Sequence, residues 1–527
     1  MTYYYLKRFL LWIALWGIVS LSEGLAQDND KVEILQAAEL SGETINGVEI
    51  RKLKNNVIIR HKGQTLYCDS AYQNLQANNL EAFGNAKLVD SDGSVVTSKK
   101  MLYDGNTRFA KAIGNVVLVD EQKVLETEQL DYDMSSKVAY YTVGGKITDP
   151  ENVLTSQEGT YDTKSKIFYF KKNVVIISKK DGDRIDSDDL IYNTVTEIAY
   201  FQGPTRITTK DNDVLYANQG TYNTRTKVSN FKGRPKVVNE KYILEGDSLY
   251  YDNLKEFGIA IGNSQMLAKN DSILVNGDVS MFWGKEGRSK VYGKAIARQF
   301  SDKDTLFLIA DTLISVNNDS TLQKYVLAFN HARVFRNQMQ AICDSLVYNR
   351  GDSTIYFFRN PILWSKDNQM TADSIRVQTA NNKIKTAFLR QNSFVISTDT
   401  LQNFNQVKGR YITAHFIESQ IRRVDVNGNA ESIYFAIEGD TVMTGMNRAE
   451  CSDMKLIFKA QNKLQSITQY NKVDALFIPP HELEEPQKRL KGFIWRKEER
   501  PQKAEFIRRI RREAGASIDE TSQEKGG

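Results

Sequence analysis

A polar corner that follows an aromatic residue recurs about every 30 residues along most of this 527-residue chain. One copy reads YDTKSKIFYFKKNVVI, from Tyr161 to Ile176. About eleven copies are clear, and their anchor positions are Tyr72, Tyr103, Tyr132, Tyr161, Tyr192, Tyr222, Tyr251, Phe282, Ser315, Tyr348 and Val377. Such internal repetition indicates a repeat protein, which grows by adding units that pack on their neighbours rather than by adding separate globular domains.

Each copy has two halves in which apolar residues alternate with polar ones. In the first half an apolar residue lies two positions before the anchor, as Leu130 does before Tyr132. The second half often contains a Gly-Asn pair such as Gly262-Asn263, and glycine suits a bend or bulge there. The alternation predicts about two strands per copy, in sheets with one apolar face and one solvated face.

The copy that begins at Tyr161 departs from this pattern at one position. Its residues Phe170, Val174 and Ile176 are predicted to face inward, like their equivalents in other copies. Lys172, however, stands where other copies have glycine. Because glycine tolerates backbone conformations that other residues resist, we expect this copy to bend differently.

Composition supports a β-rich protein without a nucleic-acid partner. The chain has 25 Tyr and 24 Phe but only 8 Pro, which favours strands. Its formal net charge of +5 is small against 70 basic and 65 acidic residues, so it gives no case for nucleic-acid binding. Cys68, Cys343 and Cys451 are few, distant and odd in number, so we expect buried thiols rather than a disulfide framework.

The N-terminus has the pattern of a secretory signal peptide. Lys7 and Arg8 are followed by an apolar segment over residues 9–21, and small residues precede a predicted cleavage site after Ala26. The apolar segment is short for a membrane span, although an uncleaved anchor is the alternative. We therefore assign residues 1–26 to a signal peptide and expect the mature chain to be exported.

Nothing in the pattern predicts catalysis. The four histidines are His61, His331, His415 and His481, and they fall in different repeats without the spacing of metal ligands. Acids recur four residues before the anchors, which predicts a structural role, at positions Asp188, Asp247, Asp278, Asp311, Asp344 and Asp373. We expect no enzyme, with no catalytic residue, no metal and no cofactor.

Two adjoining stretches carry a resemblance to a known family. They are TRFAKAIGNVVLVD at 107–120 and LETEQLDYDMSSKVAYYTVGG at 125–145. Their pattern resembles the OstA-like family, which includes the periplasmic lipopolysaccharide-bridge protein LptA and the N-terminal periplasmic domain of the translocon protein LptD. The individual motifs are degenerate, so the resemblance depends on the number of copies, which cover most of the mature chain.

The resemblance implies a fold and a binding groove. The fold would be all-β, an elongated repeat β-jellyroll (β-taco, solenoid-like) of about eleven to twelve two-strand repeats, with a short helical or disordered basic C-terminal tail. In the family, a folded-over sheet encloses an apolar groove that holds acyl chains. The inner-face positions in this chain would be Leu118, Ile176, Phe201, Ile207, Phe231, Val237, Met266, Leu363 and Val395.

The resemblance also implies a function and partners. The protein would bind lipopolysaccharide or a similar amphiphile in the periplasm, in association with the outer membrane, and help to deliver it there. Its partners would be other Lpt-type transport components, including an outer-membrane barrel, with possible end-to-end self-association. The chain has roughly twice the repeats of a simple bridge protein, so it could be one long bridge or the partner of a separately encoded barrel.

The residues themselves leave two other functions open. An inward apolar stripe also fits a dry, packed core, as in a structural β-solenoid scaffold or adhesin. A polysaccharide-processing solenoid enzyme is a third possibility, although no copy breaks the repeat with clustered acids.

We divide the rest of the chain by its loss of the repeat pattern. We expect residues 27–440 to form the repeat domain, as one module or two stacked modules, 441–478 to form terminal strands or a capping segment, and 479–527 to form a basic, partly disordered tail with a short helix. This tail is either solvated or a docking element. In the second case Phe493, Ile494 and Trp495 would anchor it, and arginines would meet lipid phosphates or acids of a partner, at Arg508, Arg509, Arg511 and Arg512.

Overall fold

A computed structural model describes residues 31–513, except 46, 271, 302–303, 319–322, 381–382, 419, 440 and 460–463. The predicted signal peptide lies outside the described residues, as does the end of the basic tail. The described chain is β-structure with one α-helix and three short 3₁₀ helices, which confirms the all-β prediction. Contacts divide the chain into two compact units, with the boundary between Thr196 and Glu197. The predicted divisions at residues 440 and 478 stay a prediction.

Unit 1 contains fourteen strands. They are β1 (Glu33–Gln36), β2 (Glu39–Ile45), β3 (Val48–His61), β4 (Gln64–Asn74), β5 (Asn79–Val89), β6 (Val95–Asp104), β7 (Phe109–Asp120), β8 (Lys123–Asp133), β9 (Val138–Tyr141), β10 (Gly145–Thr148), β11 (Asn152–Ser156), β12 (Glu158–Asp162), β13 (Ile167–Ser178) and β14 (Arg184–Asn193).

Unit 2 contains the remaining strands and all of the described helices. The strands are β15 (Ile198–Phe201), β16 (Thr205–Thr208), β17 (Val214–Ala217), β18 (Gln219–Asn223), β19 (Val228–Lys232), β20 (Lys236–Val238), β21 (Tyr242–Glu245), β22 (Ser248–Asp252), β23 (Phe257–Ala268), β24 (Ile273–Trp283), β25 (Arg288–Tyr292), β26 (Ile296–Ser301), β27 (Asp304–Ile309), β28 (Thr312–Asn318), β29 (Gln323–Phe329), β30 (Ala332–Arg336), β31 (Met339–Cys343), β32 (Ser345–Asn349), β33 (Thr354–Phe358), β34 (Ile362–Ser365), β35 (Asn368–Thr371), β36 (Ser374–Ala380), β37 (Lys383–Thr398), β38 (Phe404–Ile417), β39 (Gln420–Glu438), β40 (Val442–Phe458), β41 (Leu464–Tyr470) and β42 (Asp474–Ile478). The 3₁₀ helices are Pro480–Glu482, Glu485–Lys488 and Lys497–Glu499, and α1 is Lys503–Glu513.

Strands β7 and β8 show how one repeat builds the fold. They pair antiparallel along their whole length, and their register shifts between Ile113 and Val116. At the shift, Gly114 and Asn115 have φ angles of 82° and 46°, and the strand bends from one sheet into a second. We call the sheet that contains the anchor tyrosines sheet A and the sheet beyond the bend sheet B. Because each repeat crosses the bend twice, each sheet gains two strands per repeat.

The bend does not require glycine. Lys172 and Asn173 have φ angles of 62° and 54°, in the same left-handed region as Gly114 and Asn115. The register of β13 on β14 shifts there too, between Lys171 and Val174. The expectation that this copy bends differently is therefore wrong. A non-glycine residue costs about 1–2 kcal/mol in this region, and the hydrogen-bonded ladders on both sides of the bend hold it there.

The recurring acids have a structural role at the bends. Asp247 accepts a hydrogen bond of 2.8 Å from Asn263 Nδ2 and one of 3.2 Å from Arg234. It lies over the bend of β23, where a Cβ added to Gly262 would be 2.5 Å from its Oδ2. Asp373 accepts in the same way from Asn392, at 3.0 Å. The repeated Asp and the Gly-Asn pair are thus two halves of one corner.

Turns at the free end of sheet A stack on one another. The Asp162 carboxylate accepts hydrogen bonds from the backbone N–H groups of Lys164 and Ser165, at 2.9 and 3.0 Å. Thr163 N–H donates to the carbonyl of Lys137 in the preceding turn, at 3.0 Å. These bonds satisfy the polar groups of the DTKSK corner, as expected of Asp and Asn in tight turns.

The side chains between the sheets follow the predicted alternation, with one exception among the anchors of unit 1. Tyr161, Phe170, Val174 and Ile176 are buried between the sheets. Tyr72 is 44% exposed and faces solvent. The position equivalent to Tyr103 is Gln73, since both pair with Leu80 of β5, so the predicted anchor Tyr72 is one residue out of register. Gln73 is buried and donates a hydrogen bond to the Val32 carbonyl.

Candidate functional site

Opposite the bends, the free ends of the two sheets face each other across what we call the mouth. In unit 1, side chains join the two sheets there. The Tyr132 hydroxyl, at the end of β8 in sheet A, donates to Asp90 at the end of sheet B over 2.8 Å. The Lys137 ammonium lies 2.6 Å from the same carboxylate. We call such a contact between the sheets a mouth latch.

The latch recurs in the neighbouring repeats of unit 1. Tyr161 and Lys166 contact Asp120 in the same arrangement. Further toward the N-terminus, the partners are His61 and Tyr103, 2.6 Å apart. Burial raises the pKa of Tyr103 to about 12, so its hydroxyl stays protonated and can donate at physiological pH. The latches follow the anchor series, so the repeated tyrosines close the mouth.

The closed mouth leaves little room between the sheets of unit 1. Leu118 and Ile176, two of the predicted groove residues, are each 1% exposed and pack against other side chains. Both residues are packed in the core of unit 1, and their assignment to an acyl-chain groove stays a prediction.

Unit 2 has an open apolar cleft between its sheets, from β23 to β33. Its cavity volume is about 110 Å³, several times the ~10–15 Å³ that one water molecule needs. The lining from sheet B is Met266, Ala268, Ile273, Val275, Ala297, Gln299, Leu306, Leu308 and Val334. The lining from sheet A is Ser289, Val291, Leu313, Ile314, Ser315, Val326, Leu346, Tyr348, Arg350 and Ile355.

A more polar pocket adjoins this cleft. The two share Gln299, Leu306, Tyr348 and Ile355 in their linings. The basic residues Arg336 and Lys383 line the second pocket, and each pairs with an acid in the structure, Asp304 and Glu418 respectively. An apolar space thus leads into a polar space with cationic groups on its wall.

The nine predicted groove residues do not share one site. All are buried, with exposures between 0% and 6%. Met266 lines the cleft, and Val395 lines a smaller pocket near β38 and β39. The groove assignment stays a prediction for the others, which are packed in the core: Leu118, Ile176, Phe201, Ile207, Phe231, Val237 and Leu363.

Sequence reasoning missed most of the cleft. Leu306, Leu308 and Val326 were not singled out, because their copies have looser spacing than those near the N-terminus. The available signal is the anchor series itself, which first loses its aromatic residue at Ser315. Ser315 lines the cleft, where a short side chain leaves space.

Some of the predicted docking residues of the tail pack against unit 2, and others are exposed. Trp495 and Phe493 both contact Phe404 of β38, with ring centroids 5.3 and 5.2 Å apart. Ile494 is 64% exposed. The four predicted arginines lie in α1, at Arg508, Arg509, Arg511 and Arg512. The Arg508 side chain is exposed and that of Arg509 is half-buried. A docking role toward lipid or a partner stays a prediction.

The structure offers no sign of a metal site or a membrane-spanning helix where it describes the chain. No group of three or more His, Cys, Asp or Glu side chains in this part could hold a metal ion. No helix within residues 31–513, apart from the gaps given above, is both long and apolar enough to cross a bilayer. The three cysteines are free and buried.

Comparison with known proteins agrees with the repeat pattern. Residues 29–188 and 180–247 match the family model described as OstA-like protein. One similar solved structure is LptH of Pseudomonas aeruginosa, described as the LptA-homologous periplasmic component of the conserved lipopolysaccharide transport device. It is 15% identical, with a TM-score of 0.20, and the match covers 22% of this chain and 82% of LptH. No curated protein matches the chain. The family match confirms the resemblance to the OstA-like family over residues 29–247.

Proposed function

We propose that this protein is a periplasmic component of lipopolysaccharide transport. It binds lipopolysaccharide or a similar amphiphile in the cleft of unit 2 and helps to deliver it to the outer membrane. The match of residues 29–247 to the OstA-like family model supports this class of function. The protein acts without chemistry, by removing acyl chains from water.

The observation that carries the proposal is the apolar cleft that leads into a cationic pocket. Each methylene group that leaves water for an apolar wall contributes about 0.8 kcal/mol. Leu306, Leu308 and Val326 form such a wall on both sheets. The phosphates of an amphiphile would meet Arg336 and Lys383 in the adjoining pocket, in exchange for their present acidic partners.

The ends of the β-structure support a role among other transport components. Among the described residues, β41 and β42 each pair with β40 alone. On β42, Leu476 and Phe477 are exposed. A strand with one unpaired edge can form hydrogen bonds with a strand of another protein along that edge. We propose that this end joins a further module, such as the periplasmic part of an outer-membrane barrel protein or a second copy of this chain.

Site-specific photo-crosslinking in cells tests the cleft directly. A photoreactive amino acid at Val326 would face the cleft, whereas one at Leu327 on the same strand would face outward and serves as the matched control. We expect lipid adducts at Val326 and none at Leu327. The absence of adducts at Val326 in folded protein, or equal labelling at Leu327, would overturn the proposal.

A pair of substitutions separates an open cleft from a packed core. Val326→Asp places a charge in the cleft, where water can reach it, and should impair lipid binding while the protein still folds. Val237→Asp places the same charge at a position that is 0% exposed and should destabilise unit 2. Solubility, circular dichroism and outer-membrane integrity are the measurements. Unfolding of both variants would contradict an open cleft.

Unit 1 supports a second candidate function for that part of the chain. Its closed mouth and packed interior suit a rigid scaffold with a dry core. The same crosslinking experiment at Leu118 checks this candidate, because a scaffold gives no lipid adduct there.

A further inference from the structure

The C-terminal segment 479–513, which we call the strap, follows a single row of outward residues on sheet B of unit 2. Paired strands place these residues side by side across the sheet. The row consists of Arg298, Phe307, Phe335, Gln340, Trp364, Gln369, Ile396, Gln406 and Ile433. The strap runs along it from the end near β39 to the end near β26.

Buried glutamines in this row bind the strap backbone. Gln406 accepts from Leu490 N–H at 2.9 Å and donates to the Lys488 carbonyl at 2.8 Å. Gln369 repeats this two-bond contact farther along the strap, between Ile494 and Arg496, at 2.8 Å for both bonds. Both glutamines are almost fully buried, so these bonds form away from water, and the strap is held in a fixed register.

The strap ends behind the wall of the cleft. Phe506 of α1 is 0% exposed and contacts Phe307 and Phe335, at 5.7 and 5.9 Å between ring centroids. Glu505 beside it pairs with Arg333 at 2.8 Å. Strands β27 and β30 thus present one face to α1 and the other to the cleft, where Leu308 lies.

We propose that α1 is a positioning element for the cleft, with Phe506 as its anchor. The α1 contact fixes β27 and β30 from behind and so holds the cleft wall in its binding conformation. This inference rests on the proposed function of the cleft. Since binding linkage is reciprocal, a ligand in the cleft should also tighten the α1 contact.

The test uses the full chain and N-phenyl-1-naphthylamine, a dye that fluoresces in apolar surroundings. Phe506→Ala should weaken dye binding roughly fivefold or more. Phe493→Ala is the matched control, because Phe493 also anchors the strap but packs on Phe404 of β38, away from the cleft. The dye affinity of Phe493→Ala should stay within roughly twofold of that of the unsubstituted protein, since α1 still packs against the cleft wall.

Hydrogen exchange of the unsubstituted protein gives a readout that a merely structural role would not move. Saturation with the dye should slow amide exchange in residues 503–513 but not in 480–495. The inference is overturned if the dye binds, and Val326→Asp abolishes that binding, but exchange in α1 is unchanged. It is also overturned if both phenylalanine substitutions weaken binding equally. If the dye does not bind at all, the proposed function fails together with the inference.

Discussion

The mouth latch of Asp90 gives a quantitative test of how unit 1 is closed. The Asp90 side chain is 1% exposed and accepts a 2.8 Å hydrogen bond from Tyr132. Tyr132→Phe removes this bond and keeps the ring. Asp90 retains Lys137 at 2.6 Å, so its charge stays partnered. A hydrogen bond to a charged group contributes about 1.5–3 kcal/mol, and we expect a loss of that size in the opening free energy of unit 1.

Native-state hydrogen exchange of peptides from β8 and β12 is the suitable assay, because it reports unit 1 separately. A loss of ~1.5–3 kcal/mol corresponds to a roughly 10- to 150-fold decrease in protection. Tyr140→Phe is the matched control, since Tyr140 lies on the neighbouring strand β9 and faces solvent. Its effect should stay within about 0.5 kcal/mol, as for most surface substitutions.

The pH dependence identifies the carboxylate as the partner. Burial alone would raise the pKa of Asp90, but hydrogen bonds from Lys137, Tyr132 and neighbouring groups lower it below its ordinary value. Ionised Asp90 therefore stabilises the fold above pH ~4, and this stabilisation is lost as the pH falls through the lowered pKa. The penalty of Tyr132→Phe should shrink at acidic pH. An equal penalty at pH ~7 and at a pH below the lowered pKa of Asp90, or an equal effect of Tyr140→Phe, would refute the latch.

Three further predictions concern the bends, the tyrosines and the thiols. Gly262→Ala should destabilise the protein more than Gly182→Ala does. Both glycines have a positive φ angle, but only at Gly262 would the new Cβ meet Asp247, at 2.5 Å. Equal melting temperatures of the two variants would contradict the structural role of this corner. Burial raises the pKa of Tyr103 to about 12, so the folded state keeps this proton and stability should fall as the pH rises from ~10 toward 12; tyrosinate absorbance that appears before unfolding would count against this. Burial raises the pKa of the Cys343 thiol to about 12, so it should react with a thiol reagent only after denaturation, and rapid reaction in the native protein would contradict its burial.

The sequence predicted the two-sheet repeat because its information is local. A period of two places Leu130 and Tyr132 on one face whatever lies further along the chain, and both are buried. The Asp and Gly-Asn motifs were also readable, since bends and turns depend on neighbouring residues. The prediction failed at Lys172 because propensity is a preference: interstrand ladders on both sides impose the positive φ on a residue that disfavours it.

The sequence could not tell a closed mouth from an open cleft. Leu118 in the closed unit and Leu308 in the cleft occupy equivalent alternating positions, and the pattern of one strand does not contain the distance to the opposite sheet. That distance depends on contacts between residues far apart in sequence, such as Tyr132 and Asp90, 42 positions apart. The strap escaped prediction for the same reason, since Glu505 pairs with Arg333, 172 positions away.

The strap also bears on how the protein is made. A chain is synthesised from its N-terminus, so all the strands of sheet B exist before residues 479–513 have emerged. Until then Phe307, Phe335 and Trp364 have no strap to cover them. A chain that is cut short before the strap would still contain all of the described strands, but it would expose these aromatic side chains on the outer face of a sheet, the kind of surface that chaperones and quality-control proteases bind. The strap thus makes a chain that contains residues 479–513 chemically distinguishable from one that lacks them.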